Sequence, residues 1–119
     1  MYIVFTGHRD CYAKDEDLLR IAEEFPNAIW VHGGAQGVDA FVNETAFRLG
    51  IETLVVRPDY EKYYYNKKYA PLARNKQMVE IADLVVAVYD GRQTGGTKFT
   101  VEYARSLGKK LLILEPDKL

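Results

Sequence analysis

Short apolar runs alternate along the chain with longer stretches in which apolar residues recur at helical spacing. Five apolar runs are typical of buried strands: residues 2–6, 28–31, 51–56, 84–89 and 110–114. Between them lie four helical patterns: residues 14–25, residues 38 to Gly50, Pro71 to about Ala82, and residues 97 to Gly108. Strands that alternate with helices in this way predict a parallel sheet with helices on both faces.

The pattern therefore predicts one α/β domain over residues 1–119, a Rossmann-like, doubly wound parallel five-stranded sheet with strand order 3-2-1-4-5. Ligands of such sheets bind beyond the carboxyl ends of the strands, where the strand order reverses. That point lies between the first and fourth strands. We expect three polar or glycine-rich loops to meet there: residues 7–9, residues 33–39 and residues 90–97.

The second of these loops favours an anion. Gly33, Gly34 and Gly37 lie between a strand and a helix start, and glycine allows both positive φ and close approach of a ligand. The N–H groups of the helix start add a positive dipole end, which favours phosphate. A tight strand-to-helix turn with glycines needed only for packing is the alternative.

Several side chains near these loops suit a phosphorylated ligand. Arg9, which follows Gly7, can hold a phosphate, and His8 can hydrogen-bond a base, a ribose or a phosphate. Arg74 can reach a phosphate and Asn75 an amide or ribose, provided their helix begins near the crevice. The alternatives are a surface turn with an ion pair to Asp10 and a solvated helix face.

Two further residues follow the first glycine-rich turn. Asp39, in the first turn of its helix, either caps neighbouring N–H groups or accepts a bond from the ligand, and the two roles are compatible. Gln36 can donate its amide to the ligand, although a solvent-facing turn explains it equally well.

A second glycine-rich turn runs from Asp90 to a phosphate-cradle candidate with two hydroxyls at a helix start: Thr94, Gly95, Gly96 and Thr97. Glu102 follows in the same helix, where a carboxylate can act on a ribose hydroxyl or stabilise charge near an anomeric carbon. A helix glutamate is more often solvated or paired, here with Lys98 or Arg105.

Tyrosines are crowded after the third strand: Tyr60, Tyr63, Tyr64, Tyr65 and Tyr69. Their rings can stack on a base over the mouth of the site, or they can form a dimer surface, since tyrosine is favoured in interfaces. The sequence does not separate these two roles.

Composition excludes several classes of function. The 16 Lys and Arg residues against 17 Asp and Glu give a net charge of -1, which makes nucleic-acid coating unlikely. The single cysteine, Cys11, excludes an intramolecular disulfide, and His8 and His32, the two histidines, have no ligand-like partners for a metal. No cofactor is implied. With no apolar run long enough for a bilayer and no signal-peptide layout, we expect a cytoplasmic protein that does not bind membranes.

Taken together, these motifs resemble the SLOG superfamily, in particular its small stand-alone YspA-like members, often found in bacterial and phage genomes. The resemblance covers nearly the whole chain and rests on these residues: Gly33-Gly34-Ala35, Gly37-Val38-Asp39, Pro58, Ala73-Arg74-Asn75, Met78, Thr94 to Thr97 and Glu102.

The superfamily includes the DNA-processing protein A family and the "lonely guy" phosphoribohydrolases. The resemblance implies a Rossmann-like domain that binds nucleotides or nucleotide-derived molecules, including ADP-ribose-like ones. It assigns binding to these positions: Gly7, His8, Arg9, Gly33, Gly34, Gly37, Asp39, Arg74, Asn75 and Thr94 to Thr97.

The phosphoribohydrolases have the motif Pro-Gly-Gly-x-Gly-Thr-x-x-Glu. This chain keeps the two glycines and Glu102, but Thr94 replaces the proline, and Lys98 and Phe99 replace the later Gly-Thr pair. The departures count against hydrolysis and leave phosphate binding intact.

The leading hypothesis is thus a module that senses or sequesters a small nucleotide. The alternative is a nucleoside-monophosphate phosphoribohydrolase in which Glu102 stabilises the ribose and Arg74 holds the phosphate. A role in single-stranded DNA binding is disfavoured by the charge balance. The exposed outer strands, and the helix-mediated pairing common in the superfamily, suggest a homodimer.

Overall fold

In the computed structural model, which describes residues 1–118, four helices cover the two faces of a parallel sheet. The strands are β1 (Tyr2–Gly7), β2 (Cys11–Tyr12), β3 (Ile29–His32), β4 (Thr53–Val55), β5 (Leu84–Val88), β6 (Lys110–Leu114) and β7 (Asp117–Lys118). The helices are α1 (Asp15–Glu24), α2 (Val38–Leu49), α3 (Tyr69–Ile81) and α4 (Gly96–Ser106). The predicted Rossmann-like α/β class is confirmed.

The five-stranded sheet has the order β4-β3-β1-β5-β6, and every neighbouring pair in it is parallel. This numbering differs from the predicted 3-2-1-4-5 because a short strand that was not predicted, β2, comes second in the chain. It pairs antiparallel with β7 in a separate two-stranded sheet. The five long strands, counted alone, have the predicted neighbours. Two-residue strands leave no periodic pattern, so neither β2 nor β7 could be predicted.

Element ends differ from the predictions by a few residues. The third long strand, β4, has three residues rather than six, and its Leu54 is 39% exposed, as suits an edge strand. Helix α3 begins two residues before Pro71. Proline fits in the first turn of a helix because N–H groups there have no intrahelical acceptor.

Alternating side chains on the central strands divide the core between the two faces. Ile3 and Phe5 of β1 pack with residues of α1 and α2 on one face, and the Phe5 ring lies 4.7 Å from that of Trp30. Val4 faces the other side, where it packs with residues of α3 and α4. All five residues of β5 are buried. The central strands are therefore apolar on both faces, which is why they read as continuous apolar runs.

Two glycines let the loops at the carboxyl edge of the sheet approach each other. A Cβ on Gly7 would lie 2.5 Å from the Val38 Cβ, and one on Gly37 would lie 2.4 Å from the His8 carbonyl oxygen. The Val38 N–H donates to that same carbonyl across 3.2 Å. Only residues without a Cβ allow this contact, so the loop after β1 is held against the start of α2.

None of the described helices is both long enough and apolar enough to cross a bilayer.

The loop contact can be measured with a pair of glycine substitutions. Gly37 and Gly50 have nearly equal φ angles, 71° and 70°, but a Cβ on Gly50 meets nothing within 4 Å. We expect Gly50→Ala to lower the free energy of unfolding by about 1 kcal/mol, the strain of the left-handed conformation alone. Gly37→Ala should lower it by about 3 kcal/mol, because its ψ of -121°, against 28° at Gly50, is less favourable for a residue with a Cβ and because overpacking adds to that strain. Urea denaturation of the two variants measures both values, and equal losses would contradict the loop contact.

Candidate functional site

A cavity of about 920 Å³ opens at the carboxyl edge of the sheet, at the ends of β1 and β5. Its walls come from four parts of the chain: residues 5–10 at the end of β1 and just after it, Ala35 and Asp39 around the start of α2, residues 68–78 of α3 and its approach, and residues 92–99 at the start of α4. The three loops expected to converge therefore all contribute to one cavity, and α3 forms a further wall. Its position is the one at which doubly wound sheets bind ligands.

Most of the first glycine-rich turn lies behind the wall of this cavity. Of residues 33–37, only Ala35 lines it. A Cβ on Gly33 would lie 2.3 Å from Nη1 of Arg74, and a Cβ on Gly34 would lie close to the guanidinium of Arg57. Four residues of this turn that were predicted to bind the ligand do not line the cavity: Gly33, Gly34, Gln36 and Gly37. Their glycines make room for protein groups, as in the packing alternative.

Asp39 stabilises this turn by hydrogen bonds to its backbone. One oxygen of its buried carboxylate, Oδ2, accepts hydrogen bonds from the N–H groups of Gly33 and Ala35, each at 3.2 Å. Burial raises the pKa of Asp39 above its usual range, and the bonded amides, His32 and Arg74 oppose this shift only in part. Asp39 also lines the cavity. One side chain thus both binds the amides of the turn and forms part of the cavity wall.

Arg74 ties three parts of the chain together. Its Nη1 donates to the Gly33 carbonyl at 2.6 Å and to the Val56 carbonyl at 3.3 Å, while Nε donates to Oδ1 of Asn75 at 2.8 Å. Burial lowers the pKa of Arg74, and the charge of Asp39 opposes that effect. Arg74 and Asn75 both line the cavity rather than a solvated helix face.

On the opposite wall, His8 and Arg92 meet at Asp90. Nε2 of His8 lies 3.1 Å from Oδ1 of Asp90, and Arg92 binds both oxygens of that carboxylate, with Nη2 2.7 Å from Oδ2. Burial and the charge of Arg92 lower the pKa of His8, and the charges of Asp90 and Asp10 partly offset that shift. His8 and Arg92 line the cavity, whereas Asp90 lies behind them and positions both.

The second glycine-rich turn does form part of the wall. Thr94, Gly95, Gly96 and Thr97 all line the cavity. Helix α4 begins at Gly96 and no side chain caps its N-terminus. The first N–H groups of a helix have no intrahelical acceptor, so they are available to an anion.

Glu102 is not brought to the cavity. Its carboxylate is 58% exposed and forms an ion pair with Lys98, one turn earlier in α4. This is the alternative that the sequence offered for a helix glutamate, and it leaves the hydrolase hypothesis without its carboxylate.

The structure adds residues to the site that sequence reasoning missed: Thr6, Asp10, Lys68, Pro71, Leu72, Met78, Arg92 and Phe99. The sequence did contain a reason to consider Arg92 as a site residue, because it lies inside the second glycine-rich turn. Lys68 precedes α3 by one residue and resembles the many other exposed lysines, so only the fold singles it out.

Three cations of the cavity lack carboxylate partners. Within residues 1–118, no carboxylate lies within ion-pair distance of Arg9, Lys68 or Arg74, whereas Arg92 is paired with Asp10 and Asp90. Arg74 is buried and close enough to Asp39 for that charge to raise its pKa, whereas Arg9 and Lys68 are exposed. A cation attracts an anionic ligand more strongly when no carboxylate is paired with it. The same stretch of chain contains no group of three His, Cys, Asp or Glu side chains suited to a metal ion.

Solved structures share this architecture. The crystal structure of DNA-processing protein A from Streptococcus pneumoniae matches with a TM-score of 0.70 at 18% identity, over 94% of this chain and 49% of that one. The chain has the Rossmann-like fold of that protein. TM1055, a structural-genomics target, matches with a TM-score of 0.65 at 20% identity, over 92% of this chain and 71% of that one.

At these identities the likeness establishes the fold, which is the Rossmann-like α/β fold that the sequence resemblance implied. The chain spans about half the length of DNA-processing protein A. No protein-family profile and no curated protein sequence matches it.

The raised pKa of Asp39 predicts a pH-dependent stability. When a carboxyl group has a higher pKa in the folded state than in the unfolded state, the folded state loses stability as pH rises through that interval. We therefore expect Asp39→Asn, whose amide oxygen can still accept both N–H bonds, to become progressively more stable than the wild type as pH rises above about 4. Urea denaturation between pH 4 and pH 8 measures the difference.

Asp39→Ala is the control for the two hydrogen bonds. It lacks the acceptor and should be less stable than Asp39→Asn at every pH. A difference between wild type and Asp39→Asn that does not change with pH would contradict the assigned pKa direction.

Proposed function

We propose that this domain binds a nucleotide or a nucleotide-derived small molecule, of the nucleoside phosphate or ADP-ribose-like class, in the cavity at the carboxyl ends of β1 and β5. One observation carries the proposal: Arg9, Lys68 and Arg74, cations without carboxylate partners, line the same cavity as the uncapped N-terminus of α4. Phosphate groups are the common biological anions that match several cations and helix N–H groups together. The proposed role is sensing or sequestering that molecule.

The remaining walls suit the sugar and base of such a ligand. Leu72, Met78 and Phe99 supply apolar surface, and Phe99 is braced by Tyr103, whose ring is parallel to it at 6.3 Å. Asn75 and Asp39 supply an amide and a carboxylate oxygen for hydroxyl groups. A pocket of roughly 300 to 1,000 Å³ with apolar walls and a few polar groups is usual for small-molecule sites.

Arg9 offers the sharpest test because it is exposed and lines the cavity without holding the fold together. We expect Arg9→Ala to weaken the binding of 5′-AMP or ADP-ribose about tenfold, the loss of one charge-assisted contact with phosphate. Isothermal titration calorimetry at 50 mM salt measures the dissociation constant. Arg105→Ala is the matched control, since Arg105 is also exposed but lies on α4 outside the cavity.

Equal affinities of the Arg9→Ala and Arg105→Ala variants would place the phosphate elsewhere. No detectable binding of any nucleotide by the wild-type protein would refute the proposal as a whole.

The alternative of phosphoribohydrolase activity has a separate test. Glu102 lies outside the cavity, so we expect Glu102→Gln to leave the affinity for nucleoside monophosphates unchanged within about twofold, which is less than 0.5 kcal/mol. We also expect no free base after incubation of the wild-type protein with these compounds, as followed by liquid chromatography. Release of base that depends on Glu102 would replace the binding proposal with catalysis.

A further inference from the structure

The approach to α3 displays an aromatic and basic surface. Tyr64, Tyr65, Tyr60 and Tyr69 are 77%, 66%, 46% and 50% exposed. Tyr65 is the centre of the group, since its ring lies 5.8 Å from Tyr64, 6.2 Å from Tyr63 and 6.4 Å from Tyr69. Between residues 57 and 69 there are four Lys or Arg residues and two acidic ones, in a chain whose net charge is -1. We call residues 60–69 the tyrosine loop.

Consecutive turns hold this loop in place. The Lys62 N–H donates to Oδ1 of Asp59 at 3.0 Å, and the Lys68 N–H donates to Oδ1 of Asn66 at 3.2 Å. Backbone bonds from Asn66 to Tyr63 and from Tyr69 to Asn66, at 3.0 and 3.1 Å, connect these turns to α3. The backbone bonds fix the loop while its rings stay exposed, so burial in the core does not explain the rings.

The tyrosine loop is continuous with the cavity. Lys68 belongs to the loop and lines the cavity. A ligand that fills the cavity therefore has the loop beside it, at the mouth. The Nζ of Lys62, over the Tyr63 ring at 5.6 Å, adds positive charge to the same surface.

We propose that the tyrosine loop is a second base-binding subsite, so that the ligand class is a dinucleotide, two nucleosides joined through phosphate. This inference rests on the proposed function and narrows it. The cavity of about 920 Å³ lies within the usual range for small-molecule sites and would hold the first nucleotide of such a ligand. The exposed rings beyond it can stack on a second base, while Lys67 and Lys68 lie near the connecting phosphate. Exposed tyrosines with interspersed lysines provide both contacts.

A length series tests the ligand class. The probes are 5′-AMP, the 5′-phosphorylated diadenylate pApA and a 5′-phosphorylated adenylate of 12 nucleotides, each titrated into the full chain. We expect pApA to bind at least about fivefold more tightly than AMP, because stacking of one more base on an aromatic side chain is worth that much. The 12-nucleotide probe should gain no further order of magnitude, because the surface described accommodates one additional base.

Variants of Tyr65 show whether the loop supplies the gain. Tyr65→Ala should bind AMP as the wild type does and lose the advantage of pApA, whereas Tyr65→Trp should keep it. Phe47→Ala is the matched control, because Phe47 is 85% exposed on α2 and does not line the cavity. Circular dichroism and size-exclusion chromatography of each variant check its folding and its oligomeric state.

The outcomes separate the two proposals. If AMP binds but pApA gains nothing, the second subsite is refuted and the proposed function stands. A continued rise in affinity up to 12 nucleotides would refute the dinucleotide class in favour of single-stranded nucleic acid. Dissociation of a dimer by Tyr65→Ala, with nucleotide affinities unchanged, would identify the loop as a subunit interface. If no probe binds, both proposals fail.

Discussion

The buried guanidinium of Arg74 is the interaction on which the site depends. From α3 it reaches the carbonyl of Gly33 after β3 and that of Val56 after β4, so one side chain joins three segments that are far apart in the sequence. Backbone carbonyls are partial charges and do not neutralise a cation as a carboxylate does. The chain therefore gains a structural joint and keeps a positive charge on the cavity wall. The same contact explains Gly33, since a Cβ there would occupy the place of the guanidinium.

This joint also gives different roles to two turns that look alike. The turn after β3 is filled by protein groups, with Asp39 on its amides and Arg74 on its carbonyl. The turn after β5 has no such clamp at its end: the first residues of α4 line the cavity, and no side chain caps the helix. Glycine serves close packing in the first turn and access to a helix N-terminus in the second.

The balance of charge around the cavity differs from the net charge of the whole chain. The net charge of -1 is spread over the whole chain, but the acids near the cavity are largely committed to protein partners. Asp90 and Asp10 hold Arg92, and Asp39 accepts two amides, while Arg9 and Lys68 have no carboxylate partner among residues 1–118. An anion that enters meets cations whose charge is not cancelled locally, in surroundings less polarisable than water.

The sequence by itself determined the fold class, the neighbours of the five long strands and the edge of the sheet where the loops gather. These follow from local patterns: buried parallel strands are apolar on both faces, and helices carry one apolar stripe. It did not determine which glycines line the cavity, because a glycine that admits a ligand and one that admits a guanidinium have the same local pattern. Nor did it reveal that Lys68 lines the cavity, that His8 meets Asp90, or that Glu102 takes the paired alternative, with its face of α4 turned away from the site. Those facts depend on contacts between residues distant in the chain, or on the direction in which a helix face is turned, and only tertiary packing decides them.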